Sequence, residues 1–96
     1  MHSGIRAVVL EEICALAKKH QIKKVILFGS RARGDHRQTS DIDLAVSGGD
    51  VVQFTLEVDE STSTFLKYDV INLDGAVQEE LVETIIREGR VLYEEG

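Results

Sequence analysis

Gly29 and Ser30 are followed at once by Arg31, Arg33 and Arg37, and then by Asp41 and Asp43. Alternating aspartates on an extended segment send both carboxylates out of the same face. Two like charges so close raise each other's pKa unless a cation stands between them. A hard divalent ion meets that need, because Mg²⁺ is held by one or two carboxylates together with substrate phosphates. Gly29 and Ser30 complete the chemistry. A glycine where a strand gives way to a turn lets backbone amides and a hydroxyl approach a phosphate closely. Arginines beside such a cradle are natural anion ligands, which nominates Arg31 and Arg33. Each feature alone has a plainer reading: a solvated strand edge, an ordinary turn, surface charge. Their concentration within residues 29–43 is what points to a metal–nucleotide site.

A third carboxylate serves to complete a metal site or to deprotonate an attacking hydroxyl. Asp69 is the candidate, at the start of an apolar run in which Asp69, Ile71 and Leu73 share one face while Asp74 falls on the other.

These residues need a scaffold. The helical spacing of Ile5, Val8, Val9, Ile13 and Leu16 predicts a first helix over residues 4 to about 20, with Ser3 as its cap and Lys18 and Lys19 in its last turn. Ala7, Leu10 and Cys14 widen its apolar arc, which is met either by burial on two sides or by a partner. KKVILFG, residues 23–29, reads as a buried strand; residues 30–40 as a helical turn and loop; DIDLAV, 41–46, as a second strand ended by Ser47, Gly48 and Gly49. The pattern over 50–64 fits neither period well, and a helix is preferred. YDVINL, 68–73, is a third strand. Residues 76–88 place Val77, Leu81, Val82, Ile85 and Ile86 on one helical face that ends at Gly89 before a short RVLY strand. The expected fold class is α/β, one domain over residues 1–96, a small mixed sheet flanked by helices.

Composition narrows the function. A hydrophobic content of 43% with 29% charged residues belongs to a globular chain. With 17 acidic and 11 basic side chains the net charge is −6, so bulk nucleic-acid binding is disfavoured. The single cysteine, Cys14, forms no internal disulfide, and with no apolar run long enough to span a bilayer, a cytoplasmic setting is expected. His2, His20 and His36 lie in three segments without ligand spacing, and Tyr68 and Tyr93 read as packing residues.

Gly29-Ser30, ten residues, then Asp41-x-Asp43 resembles the G-S-x10-D-x-D signature of the minimal nucleotidyltransferases, small relatives of DNA polymerase beta and kanamycin nucleotidyltransferase. The likeness extends through the first helix, Asp69 and the closing EGRVLYEEG, and lacks the substrate-binding domain of larger relatives. The resemblance implies that Gly29 and Ser30 hold the triphosphate of ATP. It also implies that Asp41, Asp43 and Asp69 form a Mg²⁺-binding triad, with Asp69 activating the acceptor hydroxyl. The implied reaction transfers AMP and releases pyrophosphate. It further implies a partner, since stand-alone members are similar to antitoxins paired with HEPN-domain ribonuclease toxins, some of which they AMPylate on a tyrosine. Masking of such a partner without chemistry, and transfer to a small molecule, are the alternatives.

Overall fold

The computed structural model describes residues 3–95, so His2 lies outside the described residues. The elements in chain order are α1 (Ala7–Lys19), β1 (Lys24–Phe28), α2 (Ser30–Arg33), β2 (Ile42–Ser47), α3 (Val51–Ser61), β3 (Tyr68–Asn72), α4 (Glu79–Glu88) and β4 (Arg90–Glu94). The four strands form one mixed sheet in the order β3-β2-β1-β4. β1 pairs antiparallel with β2 and with β4, and β2 pairs parallel with β3. The parallel pair is joined by α3, the kind of crossover that parallel strands require.

The sheet has two unequal faces. Val25, Leu27, Leu44 and Val46 join Val9, Ile13 and Ala17 of α1 and Phe54 and Val58 of α3 in the larger core. Ile26, Phe28 and Ala45 join Ile85 of α4 in a smaller one, with Ile71, Leu73 and Leu81 packed against it. Two helices therefore seal one face, and one ten-residue helix covers part of the other. Phe28, Asp43 and Asp69 are lateral partners in the register, so they stand on the thinly covered face. The open strand ends on that face leave room for a site.

Several local expectations shift. The first helix starts at Ala7 with Arg6 as N-cap, and Ser3 is instead buried ahead of it, accepting the Ile5 N–H at 3.2 Å. The second apolar side of α1 meets β4 near its middle, where the Cys14 thiol donates to the Leu92 carbonyl at 3.3 Å, while Ala7 and Val8 stay exposed at its start. The ambiguous segment is the helix α3, whose N-cap Asp50 accepts the Gln53 N–H at 3.2 Å, a local signal that outweighs the poor periodicity. Ile86, expected on the core face of α4, is 75% exposed because only the stripe through Ile85 and Leu81 reaches the sheet. Gly89 closes α4 without a left-handed turn, at φ −70°. Its reason is space: a Cβ there would lie 2.3 Å from the Ile85 carbonyl and 2.4 Å from Ile26. No helix among the described residues is long and apolar enough to cross a membrane.

Candidate active site

Asp43 is the second residue of β2 and Asp69 the second of β3, and the parallel register sets them directly side by side. Asp41 precedes β2 on the same face, two residues before Asp43. The three carboxylates thus come from one end of two adjacent strands. The other end of the β2–β3 pair holds Asp74, whose carboxylate accepts the Gly48 N–H at 2.7 Å and pins a loop. Sequence periodicity had separated Asp69 from Asp74, and the fold separates them by the length of a strand.

Asp43 lies deepest of the three, half-buried between exposed Asp41 and Asp69. Its pKa is raised, first by burial, which disfavours the charged form, and then by the charges of Asp69 and Asp41; Arg33 and Arg31 pull in the opposite direction. Three carboxylates gathered at one sheet end suit a hard divalent cation. Among the described residues no three His, Cys, Asp or Glu side chains close into a metal cage. A Mg²⁺ that retains waters and shares phosphate oxygens needs no such cage, so these residues fit it.

Gly29 ends β1 against this cluster. Its φ of +76° lies in the region that residues with a side chain avoid, and a Cβ built on it would sit 2.2 Å from Asp43 Oδ2. The glycine is required twice over, by its backbone and by the carboxylate pressed against it. Gly29→Ala should therefore cost about 1–3 kcal/mol in strain and displace the Asp43 carboxylate. Thermal melting combined with Mg²⁺-dependent nucleotide affinity checks this, and wild-type values for both would remove Gly29 from the site.

Ser30 opens the single helical turn α2, at the same sheet end as the carboxylates. Arg33 is exposed there, bridging Asp35 at 3.1 Å and Glu88 at 3.2 Å, and its charge reaches Asp43. Exposed ion pairs of this kind are worth at most about 1 kcal/mol, so the guanidinium is free to exchange them for a phosphate. Arg37 lies on the exposed loop beyond.

Arg31 departs from its expected role as an anion ligand. It is 1% exposed. Its Nε donates to the Ser40 carbonyl at 3.0 Å, Nη1 to Ser3 at 3.0 Å, and Nη2 to Gln38 at 3.1 Å and Arg37 at 3.4 Å. A planar five-donor fork is matched to such a set of carbonyls. Arg31 clamps the loop before Asp41 to the N-terminal segment, and its charge opposes the upward shift at Asp43.

His20 Nε2 meets Glu57 at 2.9 Å, and the His36 ring lies against Gly4. Tyr68 is half-buried, shares a 2.8 Å hydrogen bond with Thr62, and is pushed up in pKa by burial; Tyr93 packs against the larger core. Residues that sequence reasoning passed over also border the site, namely Arg6, Phe65 and Lys67 around a cleft that includes Asp41. The available signal was one aromatic residue in the polar run STSTF, too slight to interpret without knowing where that run ends up.

The chain is similar to several known proteins. The profile of the family described as Polymerase beta, Nucleotidyltransferase matches residues 11–96. A provisionally named protein adenylyltransferase of Methanocaldococcus jannaschii is 40% identical over 96 residues, covering 88% of this chain and 94% of its own. A toxin–antitoxin crystal structure with AMP-PNP superposes with a TM-score of 0.73 at 21% identity, over 90% of this chain and 73% of that one, a likeness of fold. A provisionally assigned minimal nucleotidyltransferase superposes with a TM-score of 0.67 at 26% identity, over 84% of this chain and 86% of its own.

Proposed function

Because the chain belongs to the Polymerase beta nucleotidyltransferase family, we propose that this enzyme transfers AMP from Mg²⁺-bound ATP to a hydroxyl of a partner protein. The partner in this reading is a HEPN-domain toxin, for which the chain is the antitoxin. The observation that carries the nucleotidyl-transfer chemistry is the lateral pairing of Asp43 with Asp69 beside Asp41, at the end of the sheet where Gly29 and Ser30 turn. The protein acceptor is supported by the archaeal relative's name, and the toxin partner by the folds of toxin–antitoxin structures.

In the proposed reaction the acceptor oxygen bonds to the α-phosphorus as the bond from that phosphorus to the pyrophosphate oxygen breaks, and pyrophosphate leaves. Asp69, exposed on the edge strand, takes the hydroxyl proton. Ser30 and the Gly29 turn hold the triphosphate, and Arg33 exchanges its surface ion pairs for phosphate oxygens. Asp41 and Asp43, with Asp69, would hold Mg²⁺, which when bound neutralises phosphate charge and supports the developing negative charge.

Incubation with α-labelled ATP, Mg²⁺ and the protein encoded in the neighbouring reading frame tests this directly. Label is expected on the neighbour and lost with a chelator. Label on a small molecule alone, or none under any condition, would overturn the reading. Ser30→Ala is expected to weaken triphosphate binding by about 1–3 kcal/mol, the range for an unmade hydrogen bond to a charged group. Calorimetry with Mg²⁺ and a non-hydrolysable ATP analogue measures it, and wild-type affinity would return Ser30 to a purely local role.

A further inference from the structure

The cleft that includes Asp41 has a volume of about 790 Å³ and is bordered by Arg6, Thr39, Phe65, Leu66 and Lys67. It is a distinct place from the phosphate turn. Across the sheet, Gly29 follows β1, Asp43 lies on β2 and Asp69 on the edge strand β3. The phosphate cradle is on the β1 side of the carboxylates, whereas Phe65, Leu66 and Lys67 lead directly into β3. The cleft therefore opens on the side from which an acceptor reaches Asp69.

Its wall is firmly held. The Glu12 carboxylate on α1 accepts both the N–H and the hydroxyl of Ser63 at 2.8 Å, and Arg6 donates to the Ser63 carbonyl. Those contacts hold Glu12 below the usual carboxylate range. Lys67 contributes its carbonyl to the sheet by accepting the Ile42 N–H at 2.8 Å. Between these two anchors Phe65 is fully exposed. A large aromatic ring displayed on a braced loop beside a reactive carboxylate is an anchor for something apolar. Arg6 and Lys67 put positive charge at that cleft in a chain of net charge −6.

We infer that this cleft is the acceptor subsite, taking a polypeptide segment that carries an apolar side chain and a carboxylate next to the hydroxyl to be modified. The apolar side chain packs on Phe65, Arg6 and Lys67 meet the carboxylate, and the hydroxyl is delivered between Asp41 and Asp69. The inference rests on the proposed transfer to a protein hydroxyl, and it adds the chemistry by which that protein is recognised.

The test uses synthetic heptapeptides with one Ser, Thr or Tyr, a neighbouring Leu and two Glu, compared with the same peptides carrying Lys in place of Glu. Binding is followed by the ring resonances of Phe65 without nucleotide, and transfer by label from α-labelled ATP. The acidic peptides are expected to shift the Phe65 resonances and the basic ones not. Phe65→Ala should weaken acidic-peptide binding about tenfold, the scale of one lost aromatic contact. Lys67→Glu should reverse the acidic-over-basic preference, and neither substitution should alter Mg²⁺–ATP affinity. Both side chains are exposed, so folding is not at stake. Peptide binding without transfer would defeat the proposed reaction and leave the subsite standing. Transfer indifferent to Phe65 and Lys67 would defeat the subsite alone. If Phe65→Ala weakens Mg²⁺–ATP instead of peptide, the cleft holds the nucleoside and the inference is wrong.

Discussion

Asp43→Asn is expected to abolish AMP transfer, by several orders of magnitude, while making the metal-free protein more stable. The first effect follows from its position: Asp43 is the innermost carboxylate, flanked by Asp41 just ahead of its strand and by Asp69 across the register. Removing its charge removes the central anionic ligand of the proposed metal site. The second effect follows from its raised pKa, caused first by burial and then by Asp69 and Asp41. An aspartate that binds its proton more tightly folded than unfolded penalises the fold when ionised. That penalty is absent below the unfolded pKa, near 4, and grows to its full size as pH rises through the folded value. The stability gap between the metal-free wild-type protein and the Asn variant should therefore widen in the variant's favour as pH rises across that window. Melting curves over pH 3–8 with chelator, paired with label-transfer rates, measure both halves. Mg²⁺ should raise the wild-type melting temperature and leave the variant unchanged. A variant that transfers AMP at wild-type rate would remove Asp43 from the chemistry. A variant that transfers none yet fully protects cells from the proposed toxin partner would make masking the mechanism.

Arg31→Ala should be strongly destabilising, because a buried acceptor left without its donor costs about 1–3 kcal/mol and Arg31 serves several of them. The truncation strips hydrogen bonds from the carbonyls of Ser3, Arg37, Gln38 and Ser40 and empties the space of a side chain that is 1% exposed. Each kcal/mol corresponds to about 4–8 °C in melting temperature for a domain of this size. Arg31→Lys should recover only part of the loss, because an ammonium cannot span four carbonyls set around a planar fork. The loop before Asp41 should open as well, seen as faster amide exchange at Ser40, whose N–H is otherwise bonded to the Arg37 carbonyl at 3.1 Å. A stable Arg31→Ala that lost only ATP affinity would instead restore Arg31 as an anion ligand.

Much of the site was legible without a structure because its rules are local. Asp41 and Asp43 share a face since strand side chains alternate, and Gly29 marks the strand end because its backbone adopts φ +76°. The same alternation put Asp69 with Ile71 and Leu73, and those two now pack on the thinly covered face above which Asp69 stands. The strand and helix cores were recovered to within a few residues for the same reason. The periodicity of the hydrophobic residues is a property of each segment on its own.

What the tertiary structure decided is everything that depends on two segments meeting. Three arginines in seven positions look alike in sequence, yet Arg31 points inward because the carbonyls of Ser3 and of the 37–40 loop converge on it, while Arg33 stays at the surface with Asp35 and Glu88. The pairing of Asp43 with Asp69 is a parallel register set by α3 crossing the sheet, and no pattern within either strand encodes it. Ile86 is exposed because none of the described residues covers the outer flank of α4, although its apolarity suggested burial. The cleft beside Asp41 exists only because the 62–67 loop, tied to α1 through Glu12 and Arg6, is carried to the same sheet end as the carboxylates. Period and turn chemistry act over a few neighbouring residues, whereas register, burial of charge and the shape of a cleft are set by contacts between residues far apart in the chain.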